Sequence, residues 1–325
     1  MFLNLSTYGG AYHIVCGLLG LSLTTLIFAF ASNFIFLLIA RSLQGVAAAI
    51  PWTAGLALLA EVFPKEERGK VMGIVMSGQA GGVLLGPPFG GWLFELGGYR
   101  LPFFSAAAIA LFVAFMSFIF LRHVPEIKSE SFSSPFKVLR DKKVLMIAGV
   151  AIVGSSVFAS IEPTLPIHMN ENLNASPGVI GLLFVIVTLT YGLFAPLIGA
   201  LSTRYGYVKT IVFGIVLAAI ALPLNALPTV IGAQVITLAL LGISLGMILT
   251  PALPMLADIT HEAGYTSQGV TFATYNTAYS FGMMIGPIVA SVTAAAVGLK
   301  IAYIVLGCLL LLYLIPLQKL KSSDT

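Results

Sequence analysis

Ten apolar runs, each near the ~20 residues that a helix needs to cross a bilayer, follow one another along the chain. They cover roughly residues 14–31, 34–60, 70–95, 101–121, 144–167, 178–201, 208–227, 230–257, 268–294 and 299–317. With no water to bond stray backbone groups, such runs fold as helices that satisfy their own amides. Composition agrees: 58% of the 325 residues are hydrophobic and 9% charged, where soluble domains carry about 25% charged residues. The chain therefore reads as an all-α integral membrane protein. No cleavable signal peptide is legible before the first run. Cys16 and Cys308 fall in apolar runs and the four histidines are scattered, so neither a disulfide framework nor a metal site is indicated. There is no phosphate-binding GxxxxGK[ST] run, and no cofactor is implied. The net charge of +4 belongs to loops and speaks of orientation rather than of nucleic acid.

Thirteen lysines and arginines fall on the side that holds both termini if the N-terminus is inside, against Arg100 and Lys300 opposite and Arg41 within a span. The positive-inside rule then makes both termini cytoplasmic. The long polar stretch 122–143 holds six of those basic residues and reads as a cytoplasmic linker. It separates a bundle over residues 1–121 from a six-helix bundle over 144–325.

The halves repeat. A shift of 197 residues lays Tyr8-Gly9 on Tyr205-Gly206, Gly17 on Gly214, Gly45 on Gly242, and Leu59-Ala60-Glu61-Val62 on Leu256-Ala257-Asp258-Ile259. A shift of 200 lays Gly82, Gly86 and Pro87 on Gly282, Gly286 and Pro287. Parallel repeats joined by a basic linker are an architecture of secondary transporters. The most unusual copy is SGQAGGVLLGPPFGGW, residues 77–92, where Gly78, Gly82, Gly86 and Gly90 share one helical face. In a membrane such spacing lets backbones approach closely. Plain packing is one reading. The other is a smooth face on which two bundles slide, with Pro87 and Pro287 setting matching bends.

These residues resemble the major facilitator superfamily. Arg41-Ser-Leu-Gln-Gly45 is similar to its fourth-helix motif, Gly78 to Gly91 to its fifth-helix antiporter motif, and Gly199 to Gly206 to its gating-loop motif. Glu162-Pro-Thr-Leu-Pro-Ile looks most like the vesicular amine transporter and drug:proton antiporter branch. The resemblance implies twelve helices in two bundles, so about ten of twelve are expected here, the chain beginning at the loop after the second. It also implies a monomer that moves a small molecule across the lipid bilayer by alternating access, coupled to protons, as in multidrug efflux at the plasma membrane.

Ionisable groups within spans are site candidates because the bilayer penalises them. Arg41 lies ~12 Å and Glu162 ~9 Å from the outer ends of their runs. Glu162 is expected to meet a cationic substrate or a proton, with Arg41 as counter-charge; a permanent structural ion pair is the competing reading. Tyr275, Tyr279 and Gly282 share a face in the polar ninth run, with Asn276 beside it where amine exporters often place an acid. That face is expected to line water or substrate. Gln44, Tyr191 and Trp52 are further wall candidates; membrane aromatics also serve as packing and anchors. Asp258 is expected to latch onto Arg204, as the family pattern implies. Glu61, its counterpart, faces Thr7 instead of an arginine and reads as a solvated helix end. The rivals are a truncated, non-transporting membrane scaffold or regulator, and a carrier of the same superfamily for another substrate class.

Overall fold

The computed structural model describes residues 9–63, 65–121, 141–262 and 268–321, and every regular element among them is helical. The helices are α1 Gly9–Phe30, α2 Phe34–Val62, α3 Lys65–Gly97, α4 Arg100–Leu121, α5 Lys142–Leu173, α6 Pro177–Tyr205, α7 Tyr207–Leu224, α8 Ile231–Glu262, α9 Gln268–Val297, α10 Leu299–Leu312 and α11 Leu314–Lys321. Nine stretches among the described residues are long and apolar enough to span a membrane, the last joining α10 to the start of α11 across the turn at Tyr313. The protein is thus a multi-pass integral membrane protein. The expected run 70–95 lies in α3, whose glycines and prolines dilute its hydropathy; at 33 residues it has the length to span. Of the basic linker, only residues 141–143 lie within the described residues.

Several helices outrun the expected runs. α5 continues past Pro163 and Pro166 to Leu173, where the expected run stops at 167. Its last turns are polar, and Asn174 ends it in the left-handed region (φ 49°), its N–H bonding the Met169 carbonyl. The next helix follows at once: the Ser176 side chain accepts from the Val179 amide, and Pro177 occupies the first turn, where a missing N–H costs nothing. Asn33 and Asp141 cap α2 and α5 in the same way. Pro87 and Pro88 also stand within an unbroken helix, α3.

The chain divides into two compact units, Met1–Ser131 and Phe132–Thr325. In the first, α1 packs against α2 and α4, and α3 is held mainly by α4. Among its described residues few side chains are buried, chiefly small ones such as Ala40, Ala47, Ala107 and Ala114. Ser22 ties α1 to α4 by donating to the Ala107 carbonyl at 2.9 Å. In the second unit, α5 packs most extensively against α9, α6 and α7 pack on α8, and α10 packs on α7 and α9. One continuous core runs from Val144 to Leu317. Two tyrosines fasten α5 to the C-terminal helices: Tyr303 shares a hydrogen bond with Thr164 at 2.7 Å, and Tyr313 donates to the Met146 carbonyl at 2.6 Å.

The repeat read from the sequence reappears as repeated contacts. A Cβ at Gly17 would press on Pro51 and Ile50 of α2, at 2.5 and 3.0 Å. At Gly214, 197 residues on, a Cβ would press on Met247 and Ile248 of α8, at 2.8 and 2.9 Å, and these are the counterparts of Ile50 and Pro51 in the same register. The joints α3–α4 and α9–α10 match as well. Gly98 (φ 68°) and Gly298 (φ 80°), 200 residues apart, both hold the left-handed region that side-chain-bearing residues avoid.

Candidate functional site

In the second unit the candidate residues converge from four helices. Glu162 on α5 is an exposed carboxylate inside a membrane-spanning segment. It lies within electrostatic reach of the Tyr279 hydroxyl on α9. Tyr279 stacks on Tyr275 one turn earlier, ring centroids 6.2 Å apart at 27°. The hydroxyl of Tyr191, from α6, bears on both. Tyr191 stands beside Thr250 of α8, whose buried Oγ1 has no hydrogen bond of good geometry among the described residues. One carboxylate, three half-buried phenols and a hydroxyl with bonding capacity left over thus occupy one neighbourhood. Such a set offers a cation both charge and aromatic faces. Asn276 is exposed next to Tyr275, as are Thr277 and Ser280.

Tyr191 was legible as a wall candidate but not as a neighbour of Tyr275 and Tyr279, and Thr250 carried no signal at all. The depth expected for Glu162 counts from residue 167. Counted from the end of α5 at Leu173, the carboxylate lies ~16 Å along the helix, because the polar turns 168–173 are helical too.

Gly282 and Gly286 need correction. They do not line a water-filled or sliding face. Both are buried within the second unit, pressed on the backbone of α5: a Cβ at Gly282 would strike the Ser155 hydroxyl and the Ile152 carbonyl, and one at Gly286 the Ser156 carbonyl. Ser156 also donates to the Gly282 carbonyl at 3.2 Å. The face shared with Tyr275 is therefore a dry helix–helix contact at its glycine end. Pro287, next in sequence, lies inside α9 without breaking it.

The first unit holds the other candidates. Arg41 of α2 is exposed, and its Nη1 donates to Gln44 Oε1 at 2.7 Å. Trp52 is half-buried further along α2. On α3, a Cβ at Gly78, Gly82, Gly86 or Gly90 meets nothing within 4 Å among the described residues, so within the first unit that stripe is open; Pro87 is exposed beside it. Arg204 and Asp258 are both exposed, and among the described residues no ion pair joins them. The Arg204 guanidinium instead lies over the ring of its neighbour Tyr205, 5.5 Å from the centroid. The expected latch is open here. Glu61 belongs to α2, but its side chain lies outside the described residues, as does Thr7.

A helical membrane protein with two repeated units and an acidic, tyrosine-lined neighbourhood in one of them has an architecture that secondary transporters use. Comparison with known proteins makes that specific: the Major Facilitator Superfamily model matches residues 6–167 and again 149–321. The chain belongs to that superfamily. It is 30% identical over 305 residues to the synaptic vesicular amine transporter of Homo sapiens, covering 92% of this chain and 59% of that protein. It is 31% identical over 311 residues to the chromaffin granule amine transporter of Rattus norvegicus, covering 93% and 59%. The chain thus spans about three fifths of the length of these curated relatives. A solved bacterial homologue of the human lysosomal transporter Spinster shares the fold with a TM-score of 0.74 at 14% identity, covering 95% of this chain and 83% of that one.

Proposed function

We propose that this chain carries small cationic or amphipathic amines across a membrane in exchange for protons, by alternating access. The carrying observation is Glu162, an acid inside a span, set among Tyr191, Tyr275 and Tyr279. A carboxylate in apolar surroundings binds either a proton or an organic cation, and competition between the two couples their movements. The relatives named as amine transporters support the substrate class. Arg41, in the first unit, is a second charged candidate inside a span. Asn276 and Gln44 contribute hydrogen bonds to the pathway, and the open stripe Gly78–Gly90 with Pro87 serves the conformational change. Asp258 and Arg204 close the cytoplasmic side in one state, with Glu61 at the equivalent place. The protein acts as a monomer in the plasma membrane, both termini in the cytoplasm.

The test is uptake of a fluorescent organic cation into proteoliposomes that hold an acidic interior. Wild type accumulates the cation while the gradient lasts, and Glu162→Gln loses gradient-driven accumulation. Unchanged accumulation in Glu162→Gln overturns the role of the carboxylate. No accumulation by wild type favours the non-transporting scaffold.

A further inference from the structure

We propose that Thr25, on α1, is the positioning residue for Arg41, acting through Gln44. Three hydrogen bonds run in one sense through the first unit. Arg41 Nη1 donates to Gln44 Oε1 at 2.7 Å, Gln44 Nε2 donates to Thr25 Oγ1 at 2.8 Å, and the Thr25 hydroxyl donates to the Leu21 carbonyl at 2.7 Å. The direction is forced. A guanidinium only donates and a backbone carbonyl only accepts, so the amide between them has one orientation and the hydroxyl one rotamer. Chained bonds of this kind also polarise one another.

Burial falls along the same path. Thr25 is 4% exposed, Gln44 is half-buried and Arg41 is exposed. The chain is anchored inside the bundle and carries its charge at the open end. Thr24, the neighbour, shows what an ordinary helical threonine does: its hydroxyl bonds back to the Gly20 and Leu21 carbonyls of its own helix. Thr25 makes the same backward bond and in addition receives a bond from another helix.

The consequence concerns Arg41 itself. With one N–H committed inward, the planar fork is held in orientation, and its other donors are presented with less rotamer freedom left to lose. The guanidinium is aimed before any partner arrives. This rests on and deepens the carrier reading above, since an aimed guanidinium is one that can meet a substrate in a defined orientation. The orientation of Arg41 does not depend on that reading.

The experiment uses the full chain in lipid nanodiscs and follows phenylglyoxal modification of each arginine by mass spectrometry. Thr25→Val is expected to speed labelling of Arg41 by about two- to tenfold, the range one lost hydrogen bond supports. Thr25→Ser, which keeps the hydroxyl, labels as wild type. Arg204, over Tyr205 in the other unit, keeps its rate throughout and reports an intact fold. Gln44→Met should match Thr25→Val, and combining the two should add nothing. Unchanged Arg41 labelling in both Thr25→Val and Gln44→Met overturns the proposal, and so does an additive double variant. If Arg41 is released as expected but wild-type vesicles carry no cation, the carrier reading fails while the positioning role of Thr25 stands. If both hold, Thr25→Val raises the apparent KM for the cation in wild type and leaves it unchanged in an Arg41→Gln background.

Discussion

The two units carry matching glycines in unlike surroundings. In the second unit Gly242 is pressed on α6 at Val187 and Thr190, and Gly282 and Gly286 on α5. A Cβ at their counterparts in the first unit, Gly45, Gly82 and Gly86, would meet nothing within 4 Å among the described residues. Where the partner helix is itself repeated, as α2 and α8 are, both copies are closed: Gly17 on Ile50 and Pro51, Gly214 on Met247 and Ile248. The register pairs α1 to α4 with α7 to α10, whereas the partners of Gly242, Gly282 and Gly286 lie on α5 and α6. A glycine in these spans is therefore a seat for one particular helix. Whether it is filled depends on which helix is beside it and not on the local sequence.

Substitutions can break or sharpen this comparison. The largest effect is expected at Gly286→Leu, which must push the α5 backbone away and should lower stability by about 3 kcal/mol or more. Gly86→Leu, on the open stripe, should stay within ~0.5 kcal/mol of wild type. It should also fold and yet fail to transport if the stripe serves the conformational change. Thermal unfolding in detergent, followed by intrinsic fluorescence, measures both; equal losses would end the distinction. Next comes the pair on α8 and α2. Gly242→Ala is expected to cost about 1–3 kcal/mol through overpacking against α6. Gly45→Ala should instead gain up to ~1 kcal/mol from the better helix former. A loss at Gly45 would mean that its seat is filled. The smallest contrast is at the joints. Gly98→Ala and Gly298→Ala should each cost about 1–2 kcal/mol, and equally, because both pay for the left-handed backbone whatever packs nearby. Unequal losses would show that the joints are not equivalent.

Much of the fold was legible because bilayer helices announce themselves by length and apolarity. Helix ends were less so. Residues 168–173, HMNENL, look like loop by hydropathy, yet they stay helical until Asn174 turns left-handed, a property of backbone geometry and not of apolar pattern. Glu162 in one unit and Arg41 in the other stood out because charge in a membrane is rare, and the spacing of Tyr275 and Tyr279 put on one face two rings that stack in the structure. Thr25 and Thr250 gave no signal. A threonine in an apolar run is compatible with back-bonding to its own helix, and its partner on another helix is set by tertiary packing that no local spacing encodes. The glycine stripes misled for a related reason: their period marks a helix seat without naming its occupant, so Gly282 and Gly286 looked like a sliding surface when α5 occupies them.

The paired contacts of Gly17 and Gly214 say what kind of likeness the repeat is. Ile50 and Pro51 have little in common with Met247 and Ile248 as side chains, yet each pair meets its glycine at the same register and nearly the same distance. What the two halves share here is a crossing point between two helices. Neither glycine has room for a larger side chain, while quite different residues opposite fill the space equally well. The repeat is thus plainer in where helices cross than in which letters meet there.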